Sequence, residues 1–351
     1  MTRTMYGATA RDLPPAAFAP VMATGIVSQG LAAAGAPQVS DALLELAVAL
    51  YAGLLAALVW RVARHSREVA ADLRDPGRVF GFFTFVAGSD VLAARLAHGP
   101  WRAVTTVLTV LAVPVCTVLL GCVARMAHRL GAGGAVRRAE GTWFLCVVGV
   151  QSAVLAVSGP APARGLPGTA LAWAAGLLLY AAVATLVAGR LLRFGVAPRD
   201  LTPPYWITMG ACAISLLAGA RLAHPGLDAA LGPALNRDVL LVLWAWATCL
   251  LPPLLAAGAW RHLRHRIPLA YEPTWWTIVF PTGMYAVSTG ALGKAEGLRP
   301  LVLIGQAGAW VALGAWSLSV AGMVHRNIPT RTQVRRGKGK PREKNGLGDA
   351  K

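Results

Sequence analysis

The sequence predicts an all-α polytopic membrane protein of ten transmembrane helices arranged as five helical hairpins, and three observations carry that prediction. First, 56% of the 351 residues are hydrophobic, 14% are charged, and mean hydropathy is +0.55; soluble domains carry about a quarter charged residues. Second, ten apolar runs recur with no long polar block between them. Each has the length that crosses a ~30 Å hydrocarbon core as a helix. They are continuous rather than alternating, which excludes barrel strands. Third, the basic residues alternate by loop. The N-terminus, the loops after even-numbered spans and the C-terminal tail hold 26 of the 33 Lys and Arg, and the other loops hold 7. Cytoplasmic loops attract Lys and Arg, so both termini are expected inside a plasma membrane and the span count is even.

Residues 1–14 contain Arg3, Arg11 and Asp12 without a signal-peptide core, and read as a cytoplasmic N-terminus. Span one, 15–34, carries Pro20 and places Thr24, Gly25, Ser28 and Gln29 at mid-depth. Span two, 41–60, is nearly pure Ala, Leu and Val from Leu46 onward. Span three, 79–97, holds Thr84, Gly88, Ser89 and Asp90, and span four, 103–124, contains Pro114. Span five, 142–159, offers Gly149, Gln151 and Ser152; span six, 168–189, is apolar apart from a few Thr and Gly. Span seven, 204–222, has Thr208, Gly210 and Ser215, and span eight, 238–260, has Pro252 and Pro253. Span nine, 273–293, carries Thr277, Phe280, Pro281, Thr282, Gly283 and Ser288, and span ten covers 300–324. The domain is thus 15–325. Residues 326–351 form a basic tail nearly free of apolar side chains, expected to be disordered, cytoplasmic and able to touch anionic lipid heads.

Odd spans are polar or glycine-rich at mid-depth and even spans are not. Polar groups at lipid depth are costly unless they face protein or water. Odd helices are therefore expected as an inner ring around a central pore, with even helices as an outer layer. The pore-lining candidates are Thr24, Gly25, Ser28, Thr84, Gly88, Ser89, Gln151, Ser152, Thr208, Ser215, Thr282 and Gly283. Pro20 and Pro281 are expected to kink their helices, since proline removes a backbone donor and crowds the preceding turn. "ARLAH" recurs at 94–98 and 220–224, which suggests repeated hairpins.

Asp90 is the one acid well inside a span, a functional candidate by its depth. It either exchanges a proton during transport or forms a structural ion pair or hydrogen bond. Arg95, five residues on, lies about 140° around the helix and is not its partner; Arg221 is the alternative. Arg95, Arg221 and Lys294 sit at the outer ends of odd helices. They either ring an outer mouth and concentrate anions or snorkel to the interface. All seven histidines fall in loops or at helix ends, the five cysteines form no C-x-x-C pair, and no phosphate loop or metal motif occurs. No metal, cofactor, nucleic-acid partner or catalytic activity is expected. A membrane enzyme or haem carrier ranks below a transporter.

"FAPVMATGI" in span one, "FGFFTFVAGSDVLAARL" in span three and "WWTIVFPTGMYAV" in span nine resemble the tellurite-resistance/dicarboxylate transporter (TDT) family. That family includes the bacterial TehA channel, fungal malate and sulfite transporters and plant slow anion channels. The resemblance implies ten helices as five hairpins, an odd-helix pore, a homotrimer, and small anions as cargo: monovalent inorganic anions, sulfite, C4-dicarboxylates or a tellurium oxyanion. It also implies that Phe280 of "VFP" gates the pore; read from its residues alone, Phe280 packs between helices. Where the resemblance leads one to expect a neutral residue near position 90, this chain has Asp90. That leaves a proton-coupled C4-dicarboxylate carrier as the alternative to a channel.

Overall fold

The computed structural model describes residues 10–97, 100–158, 167–222 and 232–327, and all regular structure among them is helical. Eleven α-helices are described: α1 Ala19–Ala33, α2 Pro37–Arg64, α3 Ser66–Asp72, α4 Phe83–Leu96, α5 Arg102–Arg138, α6 Leu145–Val157, α7 Pro167–Phe194, α8 Ile207–Leu222, α9 Pro233–Ala259, α10 Trp276–Ala295 and α11 Arg299–Asn327. Apart from the short surface helix α3, each corresponds to one apolar run of the sequence. The basic tail beyond 327 and the histidine ends of both ARLAH copies lie outside the described residues.

Seven helices among those described are long and apolar enough to cross a membrane. The first and fifth apolar runs form shorter helices, Ala19–Ala33 and Gly141–Val157. The ninth reaches 20 residues in α10 but is too polar for the same criterion. The count of seven, against ten apolar runs, has a physical cause. These three helices are wrapped by protein, and a wrapped helix need not match lipid.

Burial separates two populations. The segments Val79–Leu96 and Pro203–Leu222 have 83% and 78% of their apolar window buried, whereas α2, α5, α7, α9 and α11 stay between 11% and 28%. Helices α1, α6 and α10 are buried along most of their length. Packing follows the same division. Helix α1 contacts α4, α4 contacts α6, α6 contacts α8, α8 contacts α10, and α10 contacts α1. Each outer helix lies on the inner helix that precedes it in the chain: α2 on α1, α5 on α4, α7 on α6, α9 on α8 and α11 on α10.

Two of these pairs are closed by short turns in which glycine is required. Gly35 (φ 82°) and Gly297 (φ 65°) follow α1 and α10 in the left-handed region. In both, an amide reaches back five residues, Ala36 to the Leu31 carbonyl (3.0 Å) and Leu298 to Gly293 (2.8 Å), the Schellman arrangement that satisfies a free helix-end carbonyl. Gly131 (φ 63°, ψ 173°) breaks α5 into two helices.

The inner helices other than α1 begin in a tight turn: Val79–Phe82, Gly141–Phe144, Pro203–Trp206 and Pro273–Trp275. Two of these share the pattern Glu-x-Thr-Trp, at Glu140 and Glu272. In each the glutamate is extended and accepts the threonine hydroxyl, Thr142 at 2.7 Å and Thr274 at 3.3 Å. This second internal echo lies in the turns before α6 and α10, whereas the ARLAH copies begin in the last turns of α4 and α8.

Inner and outer helices are joined by hydrogen bonds from aromatic side chains on the outer ones. Trp316 of α11 donates to the Thr24 hydroxyl (2.9 Å), Trp173 of α7 to the Ser215 carbonyl (2.8 Å), and Trp244 of α9 to the Thr289 hydroxyl (3.2 Å). Tyr51 of α2 pairs with Ser89 (2.8 Å). Buried polar groups thereby find partners that lipid would not supply.

Helices α10 and α11 approach most closely through glycine. A Cβ on Gly305 would lie 2.7 Å from the Gly290 Cα and 2.8 Å from the Ala286 carbonyl oxygen, backbone that cannot yield as a flexible side chain can. Gly305→Val is therefore expected to cost about 1–3 kcal/mol by overpacking, read as a lower thermal unfolding midpoint in detergent. An unchanged midpoint would show that the two helices can separate without loss.

Candidate functional site

Two cavities lie on the inner faces of the inner helices, one near each end. The first, with about 1200 Å³ of empty space, touches the starts of all five: Pro20 of α1, Thr84 of α4, Leu145 of α6, Pro204 before α8 and Thr277 of α10. The second is far narrower and is also shared by all five: Ile26, Asp90, Ser152, Ile214 and Met284 are among its walls.

Phe280 is fully buried between them. Helix α10 fixes its direction through two close neighbours. Pro281 packs on Gly210 of α8, where a Cβ would stand 2.9 Å from the Pro281 Cγ, and Gly283 packs on Ile26 of α1, at 2.9 Å by the same measure. At about 100° per residue, Phe280 projects between those two directions, inward. Three residues before it, Thr277 lines the wide cavity; four after it, Met284 lines the narrow one. Residues three and four apart share a helix face.

The same spacing identifies what stands opposite Phe280. Ala23 lies three residues after Pro20 and three before Ile26. Ala87 falls between Thr84 and Asp90, Val148 between Leu145 and Ser152, and Ile207 and Ala211 between Pro204 and Ile214. All are fully buried. Among these positions Phe280 is the one aromatic ring beside aliphatic side chains, three of them alanine.

Asp90 meets the narrow cavity with both carboxyl oxygens buried, and neither has a hydrogen-bond partner among the described residues. The neighbouring Ser152 hydroxyl donates instead to the Gly149 carbonyl (3.0 Å). Arg221 lines the same cavity without an ion pair to Asp90 among the described residues. A third cavity, with about 880 Å³ of empty space, continues outward between α1, α8, α10 and α11, with Arg221, Lys294, Gln29 and Gln306 on its walls. Arg95 is not part of this group. Its guanidinium donates to the Ser40 hydroxyl and to Asp41, each at 2.9 Å, and fastens the end of α4 to the start of α2.

The other polar positions expected along a path face elsewhere. Thr24 accepts from Trp316 of α11, and Ser28 bonds both the carbonyl (2.7 Å) and hydroxyl (3.1 Å) of Ser40 in α2. Ser89 faces Tyr51, and Gln151 donates to the Trp173 carbonyl (3.1 Å). Ser215 and Thr282 bond carbonyls of their own helices, at 2.7 and 2.8 Å, and Thr208 opens on a cleft between α7 and α9. Gly25 and Gly88 admit Val91 and Val21 of the facing inner helix. Thr24, Ser28, Ser89, Gln151, Gly25 and Gly88 thus join helices to one another, while Thr84, Asp90 and Ser152 reach the cavities. Pro20 also departs from the expected kink. It lies in the first turn of α1, where a missing amide costs nothing. Pro281 lies within a continuous α10, its ring filling the space over Gly210.

A family model described as a voltage-dependent anion channel (SLAC1) matches residues 12–324. The chain belongs to that family. The match reaches from the turn before α1 to the last turns of α11, so it spans both cavities and the Phe280 layer. Two membrane proteins of Mycobacterium tuberculosis strains, both termed uncharacterized, are 45% identical over 157 residues, 44% of this chain and 79% of theirs. A transporter of Methanocaldococcus jannaschii, also termed uncharacterized, is 22% identical over 157 residues, 44% of each chain. This membership agrees with the TDT resemblance of the span motifs and makes the protein a membrane anion channel or transporter rather than an enzyme. Ala23, Ala87, Val148 and Ala211, buried at the level of Phe280, escape a reading of sequence polarity because small apolar residues carry no polar signal.

Proposed function

We propose that the protein passes small anions through the centre of its five inner helices, past a gate formed by Phe280. The supporting observation is the inward Phe280 ring, set between two cavities that each touch all five inner helices. On this reading the ten helices cross the membrane as five hairpins with both termini cytoplasmic, and the wide cavity is the cytoplasmic vestibule. The homotrimer implied by the resemblance belongs to the same reading. Monovalent inorganic anions, sulfite and C4-dicarboxylates form the substrate class. The test is a flux panel of these anions in proteoliposomes; absence of flux for all of them, in wild type and in Phe280→Ala alike, would sink the proposal.

A second reading, a proton-linked carrier, is favoured by one observation: the unpartnered Asp90 carboxyl in the narrow cavity. An anion crossing that cavity meets an acid that no ion pair among the described residues neutralises.

The outer cations divide by environment. Arg221 and Lys294 raise the local anion concentration where they share a cavity. Arg221→Glu is expected to lower flux about tenfold at low ionic strength and less at high salt, where the field is screened. Arg95→Glu opposes Asp41 and is expected to reduce protein yield instead. Equal flux for Arg221→Glu and wild type at low salt would remove Arg221 from the path.

A further inference from the structure

A cluster of arginines on the face carrying most basic loops plays no part in the path. Arg74, just after α3, and Arg125 and Arg129 of α5 line one cavity with about 720 Å³ of empty space; Leu73, Cys122 and Met126 form its apolar floor. Arg125 and Arg129 are four residues apart and share a face of α5. No carboxylate lines this cavity. The nearby acids are engaged elsewhere: Asp72 with Arg61 (2.6 Å) and Arg78 (2.8 Å), Asp75 with the Gly77 amide (2.8 Å), and Glu68 with Arg11 (3.1 Å).

The direction of Arg125 adds to this. Its Nη2 reaches back to the Cys122 sulfur (3.4 Å). Both terminal nitrogens lie 4.0 Å from where a Gly121 Cβ would stand. The guanidinium therefore lies toward the apolar middle of α5, while a long cation near a membrane surface ordinarily reaches for water. Three like charges converging on an apolar floor repel one another unless an anion joins them. A phosphate accepts paired hydrogen bonds from guanidinium groups, and basic pockets among membrane helices bind phospholipid headgroups.

We propose that Arg74, Arg125 and Arg129 bind the phosphate of an anionic membrane phospholipid, whose glycerol and upper acyl carbons lie against Leu73, Cys122 and Met126. The site is separate from the anion path and does not depend on the gate.

The test is native mass spectrometry of the full-length protein in detergent, titrated with phosphatidylglycerol and with phosphatidylcholine of the same chains. Wild type is expected to retain phosphatidylglycerol about tenfold better than phosphatidylcholine, as a bidentate charged contact allows. Arg125→Ala/Arg129→Ala is expected to abolish that preference. The matching lysine pair, which keeps charge and stem and guards against a folding failure, should retain part of it. Arg264→Ala/Arg266→Ala, basic positions on another loop, should leave it unchanged. Equal retention of both lipids by wild type, an unchanged preference in the alanine pair, or loss in the Arg264/Arg266 control would overturn the proposal. So would displacement by millimolar inorganic phosphate, which would assign the site to a soluble anion.

Discussion

Phe280→Ala is expected to raise anion flux by about tenfold or more, equivalent to lowering the barrier by about 1.4 kcal/mol or more. The ring is the one aromatic group among these positions, beside Ala23, Ala87, Val148, Ile207 and Ala211. Removing it joins two cavities that each already contact all five inner helices. A structural phenylalanine gives a different result. Truncating a buried Phe costs about 3–5 kcal/mol through the cavity it leaves, so a packing residue would lose protein or unfold early without conducting more. Phe280→Leu separates the two cases, because it keeps most of the volume while removing the flat ring. Graded flux, Ala above Leu above Phe, at matched protein density supports a gate. Flux that is flat across the series, with falling stability, assigns Phe280 to packing.

Asp90→Asn carries the second large effect. A unit charge ~4 Å from a permeating anion opposes it by about 4 kcal/mol at an effective dielectric constant of 20. The narrow cavity gives an anion little room to pass at a distance. Asparagine keeps the shape and removes the charge, so flux without a pH gradient is expected to rise by up to about three orders of magnitude if the acid is ionised in the wild type. In a proton-linked cycle the wild type responds to a pH gradient and Asp90→Asn does not. A wild type indifferent to the gradient, with the variant matching its flux, would make Asp90 a structural group.

The layering of this fold is legible in the sequence because lipid and protein surroundings select different residues: Ala, Leu and Val in α2, Thr, Ser and Gly in α1 and α4. The rotation of each inner helix is not legible. A helix buried on all sides shows no apolar stripe from which a facing direction follows. The hydroxyls of Thr24, Ser28 and Ser89 therefore look like path residues, although they hold outer helices. Arg95 and Arg221 occupy equivalent places in the repeated ARLAH, yet among the described residues only Arg95 meets an acid, supplied by α2. That difference depends on the partner helix and is invisible in the repeat itself. Phe280 is legible through its motif alone, whereas the packing of Pro281 on Gly210 and of Gly283 on Ile26, which sets its direction, is not.

The hydrogen bonds from Trp316, Trp173, Trp244 and Tyr51 also limit how the molecule moves. Rolling an inner helix by one residue turns its side chains by about 100° and would pull polar groups away from donors that lipid cannot replace. Four of the inner helices, α1, α4, α8 and α10, are held in azimuth by these bonds. On the proposed reading, opening then falls to torsion about the Phe280 Cα–Cβ bond. Side-chain rotation of this kind is far faster than the microsecond-to-millisecond rearrangement of whole domains.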